Sequence, residues 1–158
     1  MDNLGVSAAR AQLIDAMNRG TALVMYTGHA TPTTWTYSSL FNTATATTLT
    51  NAGRPFVAVQ WSCWSNYDVD PSGTDMVQTL LFSGDNGAVA TLGAATLLHT
   101  NSIARLGMLL TPRLAMPGMT LGQAVQDAKV ELARDHPELL EVLLGWSLMG
   151  DPALTIQP

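Results

Sequence analysis

The sequence predicts an α/β protein, a mostly parallel sheet with helices on both of its faces. Three observations carry that expectation. The apolar runs at residues 21–27 (TALVMYT), 56–61 (FVAVQW) and 87–92 (GAVATL) are continuous rather than alternating, the pattern of strands buried on both faces. Segments of helical period lie between and after these runs. A chain of 158 residues with 47% apolar content is enough for one buried core without staples.

Taken in order, residues 7–19 place Ala9, Leu13, Ile14 and Met17 on one helical stripe, with Ser7 as N-cap and Gly20 as the stop. The run at 21–27 is the first strand. Residues 31–51 are polar and rich in threonine and alanine, read as a loop followed by a weak helix over 39–49. After the second strand, residues 75–82 read as a helix, and 87–92 as the third strand. Residues 103–114 form the next helix. Thr120 and Gln123 make a capping-box pattern ahead of a helix that carries Leu121, Ala124, Val125, Ala128 and Leu132 on one face. His136-Pro137 ends it, residues 138–148 add a turn or two of helix, and 153–156 (ALTI) read as a last strand. With no internal repeat and no linker, residues 1–158 are expected to form one domain.

Composition narrows the function. Only 12% of residues are charged, with seven basic against twelve acidic side chains and a net charge of −5. Lys129 is the single lysine. Such a chain cannot assemble the basic face of a nucleic-acid binder or a polybasic membrane patch. Hydrophobic content this high with charge this low also excludes a disordered chain. The single cysteine, Cys63, excludes an intramolecular disulfide and a thiolate-rich zinc site, and leaves the redox compartment open. The start Met1-Asp2-Asn3 does not read as a signal peptide. The uncharged stretch 86–104 contains Asn86, His99 and Asn101 and is too polar to span a membrane, so a soluble chain is expected. Neither cofactor nor metal is expected.

Two strands end in residues with chemical capability. The first runs out through Gly28-His29-Ala30, the second through Ser62-Cys63-Trp64. If the two strands are parallel, both tips lie at their carboxyl ends, the edge where open α/β sheets place ligands. Adjacent strands are about 4.8 Å apart, so a Cys63–His29 pair can form on one rim. A free thiol is mostly protonated near neutral pH, and a neighbouring imidazole can take its proton. Attack on a carbonyl then creates an oxyanion, for which the N–H groups of Ala30 and Cys63 are candidate donors. Gly28, Trp35, Trp64 and Asp68 are candidates to line a substrate cleft. Each has a plainer reading: the cysteine as a small buried hydrophobe between Trp61 and Trp64, the aromatics as core, and Asp68 and Asp70 as turn residues. His99 and His136 read as structural, and the glycines at 84, 87 and 93 match no phosphate loop.

The order of features resembles the gingipain-type (C25) cysteine peptidases. It is carried by "NRGTALVMYTGHATPTTW", "NAGRPFVAVQWSCWSNYD", "GDNGAVATLGAATL", "TLGQAVQDAK" and "LMGDPALTI", from about Ser7 to Ile156. The resemblance implies a partial three-layer, caspase-like sandwich corresponding to the C-terminal half of a catalytic domain. It implies His29 as general base and acid, Cys63 as nucleophile, and a peptide or protein substrate outside the cell or at its surface. The family carries Gly-His-Gly where this chain has Gly28-His29-Ala30, so a positive φ at position 30 would strain the loop. Family members also have strands upstream of the helix beginning here at Ser7, and these carry the histidine's acidic partner and the specificity pocket. The strand bearing His29 is therefore expected to present an open edge, covered by an upstream half or a second copy. A second caspase-like family, found beside helical repeats, shares the two tips. A binding or structural module with a decayed site is the remaining reading.

Overall fold

A computed structural model describes residues 5–69 and 75–156. In chain order the elements are α1 (Val6–Arg19), β1 (Leu23–Thr27), β2 (Ala30–Thr31), β3 (Thr34–Trp35), β4 (Phe41–Asn42) and α2 (Thr43–Ala46). Then follow β5 (Phe56–Trp61), α3 (Met76–Leu81), β6 (Ala88–Ala94), α4 (Thr100–Leu114), α5 (Leu121–Asp135), α6 (Leu140–Gly145) and β7 (Trp146–Gly150).

The main sheet has the order β1-β5-β6-β7, parallel for its first three strands and antiparallel at β7. β5 is buried along its whole length, as a central strand covered on both faces must be. Its alternate residues feed two cores. Val57, Val59 and Trp61 pack with Ile103, Leu106, Leu110 and Leu114 of α4 and with Leu121, Ala124, Ala128 and Leu132 of α5. Phe56 and Ala58 face the other way, onto Met17 of α1, Trp35, Phe41, Ala46 of α2, and Met76 and Leu80 of α3. Helices therefore cover both faces, as the sequence predicts.

β1 departs from the expectation of a strand buried on both faces. Val24 and Tyr26 are buried while Met25 and Thr27 are exposed, because β1 is an edge strand whose one neighbour is β5. The N-cap of α1 is Gly5 rather than Ser7, with no side-chain hydrogen bond at the cap. Gly20 ends that helix in the left-handed region at φ 98°, as expected. The helix expected over 39–49 shrinks to the four residues of α2, whose cap Asn42 accepts a hydrogen bond from Thr45 N–H at 2.8 Å. The rest of that stretch is a small antiparallel sheet, β2-β3-β4, made of two-residue strands too short to leave a period in the sequence.

Thr120 caps α5 as expected, its hydroxyl accepting from Gln123 N–H at 3.2 Å. The last strand is misplaced in the sequence reading. Residues 146–150 are extended and pair with β6, Trp146 opposite Ala94 and Gly150 opposite Ala90, whereas Thr155 makes a single bridge to Thr120. Leucine-rich residues 140–145 do form a helix, and Lys129 holds its exit by donating to the carbonyls of Leu143 (2.8 Å) and Trp146 (2.5 Å). Trp146 then stacks on Trp61, ring centroids 5.0 Å apart, which ties β7 to the central strand.

Candidate active site

β1 and β5 are parallel with Thr27 opposite Trp61, so both run out at the same edge of the sheet. The ladder continues one step further: Gly28 N–H donates to Trp61 C=O at 3.4 Å. His29 and Cys63 follow directly, and both line one cavity of about 470 Å³. The two groups that the sequence places on one rim are thus brought to one hollow. His29 is exposed and Cys63 half-buried, so neither is sealed in the core.

The loop carrying Cys63 is fixed by main-chain bonds. Trp64 takes the left-handed conformation at φ 49°, and its N–H donates to Thr96 C=O at 3.1 Å. Asn66 N–H donates to Ala94 C=O at 2.9 Å. Beneath the turn the fully buried Gln60 gives a hydrogen bond to Ser65 C=O at 2.9 Å and takes one from the Trp35 indole N–H at 2.7 Å. The Cys63 sulfur lies against the backbone of Leu98, 3.4 Å from its amide nitrogen and 3.5 Å from its carbonyl oxygen.

The His29 side is built on Tyr26. Its phenol stacks on Trp35 with centroids 4.6 Å apart and planes 2° from parallel. Burial pushes the Tyr26 hydroxyl's pKa up, the opposing effect of the Thr36 amide being smaller, so the phenol stays protonated. It donates to His29 C=O at 2.5 Å and accepts from Thr36 N–H at 3.1 Å. Gly28 is required by close approach: a Cβ there would fall 2.5 Å from the Tyr26 hydroxyl. The imidazole stacks on Tyr37, centroids 5.5 Å apart, and among the described residues no carboxylate hydrogen-bonds it.

Residues 2–157 match the model of Peptidase family C25. The chain belongs to peptidase family C25. Among solved structures it is similar to the Arg specific cysteine proteinase gingipain R (RgpB), at 22% identity and TM-score 0.74 over 94% of this chain and 36% of that one. It is similar to the complex of Porphyromonas gingivalis RgpB pro- and mature domains at 22% identity and TM-score 0.79, over 94% and 37%. A third structure, described as a protease, matches at 14% identity and TM-score 0.75 over 90% and 37%. The likeness is one of fold, a caspase-like sandwich represented in part, and this chain spans little more than a third of each neighbour. No curated protein matches it in sequence.

In this C25 chain Ala30 lies in β2 and is not among the residues with positive φ, so the alanine in place of a second glycine introduces no strain. Thr36 N–H bonds His29 C=O, which makes Ala30–Trp35 a non-hydrogen-bonded pair and turns the Ala30 N–H toward the free edge of the small sheet. Of the four cleft candidates, Gly28 lines the cavity. Trp35 is buried at 2% exposure in the core, and Trp64 and the exposed Asp68 lie outside the lining. Asp70 lies outside the described residues. His136 is the C-cap of α5 and His99 the N-cap of α4; neither lines the cavity, although His99 sits between the lining residues Leu98 and Thr100. Sequence reasoning missed the far wall, where Thr100, Ile103, Ala104, Gly107 and Met108 of α4 join Leu98. Their spacing, one helical stripe facing the strand tips, is the signal that could have found them. Among the described residues no helix is long and apolar enough to cross a membrane.

Proposed function

We propose that this chain is the nucleophile-bearing part of a cysteine peptidase, with Cys63 and His29 as its working pair. The observation that carries the reading is that both line one cavity at the carboxyl ends of two paired parallel strands. In this mechanism His29 takes the thiol proton as the sulfur attacks the scissile carbonyl carbon. The oxyanion is held by the N–H groups of Ala30 and Cys63, donors fixed in place before reaction. The Leu98 amide beside the sulfur supports its anionic form. As the tetrahedral species collapses, the C–N bond breaks, His29 gives its proton to the leaving amine, and a thioester remains on Cys63. Water, deprotonated by His29, then hydrolyses the thioester, releasing the acid and restoring the thiol.

The free edge of β1 is part of the same proposal. A further strand, from an upstream half of the same protein or from a second copy, covers that edge and brings an acid to the imidazole, which no carboxylate among the described residues hydrogen-bonds. Membership of the family supports action on peptide substrates outside the cell or at its surface. A catalytically silent module is the second reading, favoured by the lack of a carboxylate partner for His29 among the described residues.

A peptidyl acyloxymethyl ketone tests the two readings. The expected result is a single label on Cys63, lost in Cys63→Ala and slowed at least 100-fold in His29→Ala, with both variants folded. Equal labelling of wild type and His29→Ala overturns the peptidase reading and leaves the silent module.

A further inference from the structure

We infer that Tyr37 is a positioning residue for the reaction: its ring backs the His29 imidazole and restrains that base, a role that rests on the Cys63–His29 pair and adds a third residue to it. The two rings are stacked, with centroids 5.5 Å apart and planes 30° from parallel. Tyr37 acts on the reacting atoms only through the imidazole.

The chain sets this contact up at the open end of a hairpin. Ala30 pairs with Trp35, so His29 and Thr36 stand opposite each other one step outside the ladder, and Thr36 N–H donates to His29 C=O at 2.8 Å. Along a strand, residues i and i+2 share a face. A straight continuation of β3 would therefore send Tyr37 to the side of Trp35, which is buried in the core. Thr36 breaks the alternation with a left-handed φ of 62°, and Tyr37 stands 90% exposed against the imidazole instead. Ser39 is left-handed as well, at φ 55°. For residues with a side chain both conformations carry a cost that the surroundings must offset.

The surroundings do so from two sides. Leu40 N–H donates to Trp35 C=O at 3.0 Å and to the Thr36 hydroxyl at 3.2 Å. The Arg10 guanidinium, on α1, donates to the carbonyls of Ser39 at 2.5 Å and Leu40 at 3.1 Å. The Asn42 side chain, on β4, donates to the Ser39 hydroxyl at 2.7 Å. A loop anchored by α1 and β4 thus displays an aromatic ring that the core does not claim, and the base is what that ring touches.

His29 has a use for the contact. Its backbone is pinned, the carbonyl taking hydrogen bonds from both the Tyr26 hydroxyl and Thr36 N–H. Its side chain is exposed, and the Tyr37 ring limits how far the imidazole can turn. A carboxylate brought by a further strand would bind a ring nitrogen in the plane of the imidazole, whereas Tyr37 covers a face, so the two restraints do not compete. Tyr37 is also absent from the lining of the cavity that His29 shares with Cys63, which leaves the approach of sulfur and substrate open.

Labelling of the intact protein by the peptidyl acyloxymethyl ketone, read at Cys63 by mass spectrometry, tests the role. Tyr37→Leu is expected to slow labelling about three- to tenfold and Tyr37→Phe by less than about twofold, since the ring and not the hydroxyl makes the contact. In a His29→Ala background the same leucine substitution should slow labelling no further, because Tyr37 acts through the imidazole. Proton NMR reads the contact itself: the His29 ring C–H resonances should move downfield in Tyr37→Leu and stay close to wild type in Tyr37→Phe. At 90% exposure the position tolerates both substitutions, which circular dichroism checks. Wild-type labelling in Tyr37→Leu beside slowed labelling in His29→Ala overturns the inference and keeps the pair. Tyr37→Phe as slow as Tyr37→Leu, or equal slowing by Tyr37→Leu with and without His29, does the same. No label on the wild type, or labelling as fast in His29→Ala, overturns the pair and the positioning role together.

Discussion

The indole N–H of Trp35 donates to the buried side-chain oxygen of Gln60 at 2.7 Å, joining the small sheet that carries Ala30 to the strand that delivers Cys63. Replacing Trp35 by phenylalanine keeps a ring against Tyr26 and leaves the Gln60 oxygen buried without its donor. The expected cost is about 1–3 kcal/mol, read as a lower urea midpoint at unchanged slope. Labelling of Cys63 by the peptidyl probe should slow as well, because the two halves of the rim lose their tie. Unchanged stability would show that water replaces the indole.

Gly28 and Tyr26 are coupled by contact. Gly28→Ala places a methyl group against the Tyr26 hydroxyl and is expected to destabilise by about 1–3 kcal/mol. Tyr26→Phe removes the obstructing oxygen and loses the hydrogen bond to His29 C=O. The double variant should therefore be more stable than the two single losses predict, with a coupling of about 1 kcal/mol in a double-mutant cycle. Strict additivity would place the cause elsewhere.

Cys63→Ala and His29→Ala should leave the fold nearly unchanged, within about 1 kcal/mol of wild type, since one side chain is half-buried and the other exposed. Chemical denaturation checks this and separates loss of labelling from loss of structure.

Asp75 supplies a pH dependence. It caps α3 through one carboxyl oxygen, which accepts from Gln78 N–H at 2.8 Å, while the other is buried with no hydrogen-bond partner among the described residues. Burial, the largest effect, pushes its pKa up from the usual carboxylate value, against the pull of the amides at the cap. Between the ordinary and the raised value the folded state holds a proton that the unfolded state has released. Stability attributable to this group therefore falls as pH rises through that window and is regained on acidification. Asp75→Asn keeps an acceptor at the cap and removes the titration. Urea unfolding from pH 4 to pH 7 should show the wild type losing ground to the variant as pH rises.

Where the sequence was legible, it was so through strong local chemistry. The run FVAVQW reads as a strand covered on both faces and is one, and Thr120 with Gln123 marks a helix start without tertiary help. That His29 and Cys63 line one cavity follows from the shared direction of β1 and β5. Position 146 defeated the reading because a leucine-rich helix runs straight into an extended segment, and the switch depends on Lys129, seventeen residues earlier, gripping the carbonyl at the junction. β2, β3 and β4 were invisible since two residues cannot show an alternation. The α4 wall of the cavity was overlooked because Ala104 and Gly107 act through the room they leave.

The pairing of β6 with β7 has a temporal consequence. Fifty-one residues, the whole of α4, α5 and α6, separate Ala94 from Trp146. On the ribosome, β6 must wait with one side unmatched until residues 146–150 have emerged. The Trp61–Trp146 contact can close no sooner. Nascent chains stalled before residue 146 should therefore be the species that chaperones retain, and release should coincide with the arrival of that tryptophan.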